Sequence, residues 1–352
     1  MIEKTHEMRH TKFLTVEDFV GVGWVSLSVR EGWGRRATPT DSESNKSRGR
    51  AARPRTALPG VLDVETRLWV LRFLLPCGTS ACRSSGATAG RTAPNSEGPE
   101  KWAQCFPEAA GARQSPVDIR HVDLKKLNAN RKLEWRYIPE NTKAVINPGY
   151  GWKVAVDGDG SQLTGGPLEG RYVLEQFHCH WGESNDEGSE HTINGKKFAG
   201  EIHLVHWNAT KYKSFAEAVK HPDGLAVLGV FLKPGKKHLE LDKIVKQLGY
   251  VEFRGQSAKI LVPLSPASLI PEDSGYYTYQ GSLTTPPCSE CVIWIVFKEP
   301  VEVSQEQLDA FRRLKCYSQQ DQRPCDEFQG FVKANFRPTL PLGQRDIKEC
   351  RQ

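Results

Sequence analysis

Two histidine-bearing runs constrain this chain more tightly than any other feature. They read Gln176-Phe177-His178-Cys179-His180-Trp181 and Glu201-Ile202-His203-Leu204-Val205-His206-Trp207. In an extended strand alternate side chains share a face, so Gln176, His178 and His180 project together, as do Glu201, His203 and Val205. If the two runs lie near each other in one sheet, three imidazoles converge. Three neutral nitrogens hold Zn2+ while leaving a fourth position open, the arrangement of a catalytic and not a structural zinc. Gln176 and Glu201, two residues ahead of His178 and His203, stand where polar groups orient ligand rings. A lone strand histidine is ordinarily a hydrogen-bonded core residue. Three at even parity on two runs point to a metal. His206 has odd parity relative to His203 and is expected to face away as a structural residue, and His191, His221 and His238 are not at ligand spacing with anything nearby.

Bulk properties narrow the alternatives. The 352 residues leave ample chain for a substantial core. A formal charge of +6, spread among 42 acidic residues, argues for neither nucleic acid nor an anionic membrane as partner. No stretch approaches the roughly 20 apolar residues of a membrane helix; the longest candidate, Leu68 to Leu75, is broken by Arg72. Nine cysteines, an odd number with no signal peptide, favour reduced thiols and a cytoplasmic location over a disulfide framework. Cys288-Ser289-Glu290-Cys291 is formally a CxxC, but it has no second pair and follows a Pro-Pro turn, so a structural role is expected. Asn45 and Asn208 begin glycosylation acceptor triplets, neither of which is expected to be used.

Composition changes near residue 95. Over residues 1–100 arginine outnumbers lysine twelve to three, and residues 78–98 are rich in Gly, Ser, Ala and Thr. Such a segment buries too little apolar surface to offset its chain entropy. Residues 1–95 are therefore expected to be a disordered or non-native extension; Glu3, Glu7, Glu17 and Asp18 weigh against its alternative as a mitochondrial targeting segment. Residues 96–347 have the texture of one mainly β (α+β) domain, a large twisted and mostly antiparallel sheet with few short peripheral helices, followed by a tail over 348–352. Strands are expected around 144–147, 152–156, 171–174, 226–232, 260–264 and 291–297, with turn residues between them. Those at 226–232 and 292–297 read as buried on both faces. Helices are expected at 214–220, 240–247 and 304–314, the last opened by a Ser304/Gln307 capping box.

Further motifs surround the histidines: Arg113-Gln114-Ser115-Pro116-Val117-Asp118-Ile119, Leu163 to Leu168, Ser189-Glu190-His191, Gly281-Ser282-Leu283-Thr284-Thr285-Pro286-Pro287 and Asn335-Phe336-Arg337-Pro338. In this order they closely resemble the α-class carbonic anhydrases over roughly 250 residues from Gly98 to about Gly343, the cytosolic invertebrate members being closest in texture. The resemblance implies a zinc lyase that reversibly hydrates CO2 to bicarbonate and a proton by attack of zinc-bound hydroxide, with a role in pH regulation. It makes His178, His180 and His203 the ligands. The rings of His178 and His203 would be held by Gln176 and Glu201, and that of His180 by the Asn335 carbonyl. Thr284 would accept from the nucleophile and donate to Glu190. Val205, Val227, Leu283, Val292, Trp294 and Thr285 would line the substrate pocket. A monomer acting on the small-molecule pair CO2 and bicarbonate is expected, with no nucleic-acid or membrane partner.

Two departures from the family pattern stand out. Tyr150 occupies the place of the histidine proton shuttle; tyrosine titrates near 10 and relays protons poorly at neutral pH, so proton transfer is expected to limit turnover unless another relay exists. The family's Trp-Gly-Tyr upstream of Gly98 is absent, with Ala93 where a tyrosine of the water network belongs. The alternative function is a non-catalytic binding module on the same fold, of the carbonic anhydrase-related kind; such modules lack one or more ligand histidines, whereas all three stand here.

Overall fold

The computed structural model describes residues 98–127, 131–273 and 275–350. The expected extension over 1–95 and Ala93 lie outside them. Eight strands carry the architecture: β1 Thr142–Ile146, β2 Lys153–Val156, β3 Tyr172–Trp181, β4 Gly200–Asn208, β5 Leu225–Pro234, β6 Tyr276–Gly281, β7 Val292–Phe297 and β8 Ile347–Cys350. They lie in the order β1-β2-β3-β4-β5-β7-β6-β8, flanked by Ser257–Lys259 beside β1 and Leu124–Lys126 beside β8. Pairing is mostly antiparallel; β5 with β7 and β8 with Leu124–Lys126 run parallel. The expected mainly β fold is what the described residues form.

Strand β5 shows why the sheet holds. Its side chains alternate between two apolar clusters: Ala226, Leu228, Val230 and Leu232 pack into one, Leu225, Val227 and Phe231 into the other. An uninterrupted apolar run is what a strand covered on both faces requires. Each fully buried side chain of this kind contributes on the order of 2 kcal/mol. The first cluster, on the far face, also takes Leu174, Phe177 and Cys179 of β3. The second, on the near face, surrounds the histidines with Val205, Val292 and Trp294.

Helices are few and short, and their ends follow the residues that cap them. Ser304 and Gln307 form the expected capping box for Gln305–Phe311. His238 caps Leu239–Leu248 through Nδ1, and that helix buries Leu241, Ile244 and Leu248. The expected 214–220 helix is reduced to Phe215–Ala218 behind its Ser214 cap. No helix among the described residues is long and apolar enough to cross a membrane.

Two expectations are corrected. The strand expected at 260–264 lies instead at Ser257–Lys259, which pairs with β1. Beyond it Pro263 offers no N–H to a ladder, and Leu261 and Val262 are 77% and 62% exposed. The boundary drawn between the domain and a tail at 348 falls inside β8, which pairs with β6 and Leu124–Lys126 and buries Ile347.

Candidate active site

Register sets the centre. His178 of β3 pairs directly across from His203 of β4, and Lys153 of β2 from His178, so all three point to the near face. His180, two residues on, joins them. One nitrogen from each of the three histidines lies within 4.8 Å of the others, and His178 Nε2 and His180 Nε2 approach to 3.1 Å. Tetrahedral nitrogens about 2.0–2.1 Å from a zinc ion stand roughly 3.3 Å apart, so the three rings fit that ion.

The remaining ring nitrogens are all engaged. His178 Nδ1 meets Gln176 Oε1 at 2.9 Å, His180 Nδ1 meets the Asn335 carbonyl at 2.7 Å, and His203 Nε2 meets Glu201 Oε1 at 2.7 Å. That leaves Nε2 of His178, Nε2 of His180 and Nδ1 of His203 facing one another. Burial holds all three imidazoles below their ordinary pKa, His180 down to about 4, so they are neutral lone-pair donors. Asn335 also ties the neighbourhood together by its side chain: Oδ1 accepts from Trp181 N, and Nδ2 donates to the Tyr150 and Cys179 carbonyls. Gly151 makes room for it, since a Cβ there would sit 2.8 Å from Nδ2 at a φ of +152°.

Sequence spacing overlooked His191. A carboxylate offers about four acceptor sites, and His203 uses only one of those on Glu201. His191 Nδ1 takes Oε1 at 2.7 Å, while Oε2 accepts the backbone N–H groups of Glu190 and His191. His191 Nε2 in turn meets the Tyr279 hydroxyl at 2.6 Å. Burial raises the pKa of Glu201, but its histidine neighbours outweigh burial and hold it well below the ordinary carboxylate range. His206 points the other way, as its parity predicts, with Nε2 at 2.8 Å from Tyr137 Oη.

Glu190 is buried beside the cluster, its Oε2 3.8 Å from His203 Nδ1 and its Oε1 accepting from Arg337 N. Burial pushes its pKa up to about 7, opposed by His203 and by a hydrogen bond with Thr284. Among the proposed wall residues, Val205, Val227 and Trp294 form one cross-strand row on the near face. The Trp294 ring packs 4.8 Å from that of His203. Val292 belongs to the same cluster and Leu283 packs against it, while Thr285 is half-buried on the following loop. Cys288 and Cys291 are buried free thiols, their pKa values raised by burial to about 11 and about 12.

A second charged pair was also missed. The register between β3 and β4 shifts between Leu174 and Gln176, so Glu175 is the extra residue of a bulge. Bulges re-aim side chains, often beside active sites. Strict alternation sends Glu175 to the apolar far face; here Lys153 acts on it by charge and Trp207 by a hydrogen bond.

Comparisons with known proteins give the family of the chain. The family model for eukaryotic-type carbonic anhydrase matches residues 97–351. Carbonic anhydrase 7 of Homo sapiens is 43% identical over 254 residues, covering 72% of this chain and 94% of the human protein. Carbonic anhydrase 3 of Sus scrofa is 42% identical over 255 residues, covering 71% and 94%. With three convergent imidazoles arranged as described, the chain belongs to the eukaryotic-type, α-class carbonic anhydrases.

Proposed function

We propose that this protein is a carbonate dehydratase that binds one zinc ion through His178, His180 and His203 and interconverts CO2 and bicarbonate. The observation that carries the proposal is the convergence of three neutral ring nitrogens whose opposite nitrogens are all hydrogen-bonded. Zinc in such a site supplies a hydroxide nucleophile from water near neutral pH, a property for which carbonic anhydrase is itself the standard example.

The side chains do the rest. Gln176, Glu201 and the Asn335 carbonyl fix which nitrogen of each ring carries a proton. Glu190 accepts the Thr284 proton, which leaves the threonine oxygen as an acceptor that aims the nucleophile. Val205, Val227, Leu283, Val292 and Trp294 offer an apolar wall suited to CO2, with Thr285 at its edge. Tyr150 is a poor proton carrier, because burial pushes its phenol above the usual value of 10. Proton exit therefore limits turnover. The protein acts as a cytoplasmic monomer on a small-molecule substrate; the free thiols among the described residues support a reducing compartment.

Metal analysis and stopped-flow CO2 hydration test the proposal. The parent protein is expected to hold one zinc per chain and to hydrate CO2, and His203→Ala to lose both. A protein that retains zinc without hydrating CO2 would be a binding module instead.

A further inference from the structure

We propose that the proton released by hydration leaves the site through the carboxylate of Glu175, which the bulge in β3 turns onto the near face, and not through Tyr150. The inference rests on the carbonate dehydratase function proposed above.

Without the bulge Glu175 would share the far face with Phe177 and Cys179, which are 0% and 2% exposed, and a carboxylate there would be unpaired. The register shift removes it from that face. The groups that act on it confirm where it points. Lys153 is the cross-strand partner of His178, and Trp207 lies two residues beyond Val205 and packs against the near-face cluster. Glu175 is three residues before His178, about 10 Å along the strand, a gap that a short file of waters would span.

A relay needs an acid whose pKa lies toward the working pH. Burial raises that of Glu175, Asp157 adds to the rise, and Lys153 and Trp207 oppose it, so the group titrates above the ordinary carboxylate range. No described histidine offers a better exit. His191 is engaged at both nitrogens and His206 faces the other side. His121 approaches Tyr277, His221 stacks on Tyr212, and His238 caps a helix.

The balance is simple. Water and CO2 give bicarbonate and a proton; the proton passes through water to a Glu175 carboxylate oxygen, forming the neutral acid. Buffer base then removes it and restores the carboxylate, with no change of oxidation state.

Glu175→Gln and Glu175→Ala test the relay, compared with the parent in low and high imidazole buffer. In low buffer kcat is expected to fall roughly 100-fold, the lower end of what a positioned acid–base group contributes. The expected kcat/KM and zinc content stay at the parent's values, and high imidazole restores kcat. A readout independent of turnover is the carboxyl 13C titration of Glu175 in the zinc-loaded protein. Its midpoint is expected above the ordinary value of about 4.3, and to rise further in Lys153→Met. Unchanged kcat in low buffer, or kcat and kcat/KM falling together, overturns the relay alone, as does a midpoint at the ordinary value. A parent that hydrates no CO2 overturns the proposed function along with it.

Discussion

At the scale of single residues, the parity of two strands makes His178, His180 and His203 legible in the sequence itself, because side-chain direction in a strand repeats every two residues. What parity does not carry is a partner brought in from a loop. His191 is such a partner, and the accessible hint was the unused acceptor capacity of Glu201. Replacing His191 by Phe leaves Glu201 Oε1 with His203 as its sole side-chain donor. Zinc affinity is expected to fall about 10- to 100-fold, as for other groups that hold a ligand in place, measurable by competition with a chelator. His206 permits a separate test of burial. Its pKa is lowered to about 4 by desolvation, so the unfolded chain takes up this proton as pH falls below about 6.5 while the folded chain resists until about 4. The stability that depends on a neutral His206 is complete above the unfolded value and is lost on acidification through that window. Between pH 7 and 5 the loss is about 2 kcal/mol. In urea unfolding of the zinc-free protein, His206→Gln is expected to lose less stability than the parent over that interval. Parallel pH curves would show that His206 is not buried in its neutral form.

At the scale of elements, strands with unbroken apolar runs and helices with caps were readable, and short edges were not. Leu225–Pro234 and Val292–Phe297 satisfy one pattern on both faces, so little competes with them. The piece at 260–264 has the same apolar texture, yet the neighbouring strand pairs with only three residues, and those are 257–259. Tertiary pairing overrides local preference in that case. The bulge at Glu175 is hidden for a related reason, since an inserted residue leaves the composition of the run unchanged. Helix 305–311 shows an element held by one side chain. Gln307 Oε1 accepts from Ser304 N and His238 N, while Nε2 donates to the His238 carbonyl, joining this helix to the start of Leu239–Leu248. Gln307→Ala takes the side-chain acceptor from the Ser304 and His238 N–H groups, while the His238 carbonyl keeps Asp242 N, and is expected to cost about 2–3 kcal/mol, more than the roughly 1 kcal/mol for removing the cap with Ser304→Ala. Denaturant midpoints at constant m-value decide it, and equal costs for the two variants would refute the bridging role of Gln307.

At the scale of the whole molecule, the site depends on segments far apart in sequence. Arg337 shows the span: its backbone N–H reaches Glu190, and its guanidinium holds the Gln114 side chain and the Ser115 and Ala109 carbonyls. The same guanidinium lies over the Trp102 ring, 5.3 Å from its centre. At the other end of the chain, β8 bridges β6 to Leu124–Lys126 and seals Ile347 into the near-face cluster. The matched family region, 97–351, contains all of these contacts. A chain of residues 98–352 is therefore expected to bind zinc and hydrate CO2 with the parent's kcat/KM. Removing residues 347–352 is expected to lower stability by several kcal/mol, because it exposes Ile347's neighbours and strips β6 of a hydrogen-bonded partner. Thermal unfolding and CO2 kinetics on both truncations read this out. If the shorter N-terminus abolishes activity while the shorter C-terminus is harmless, the residues that sustain the site have been placed at the wrong end of the chain.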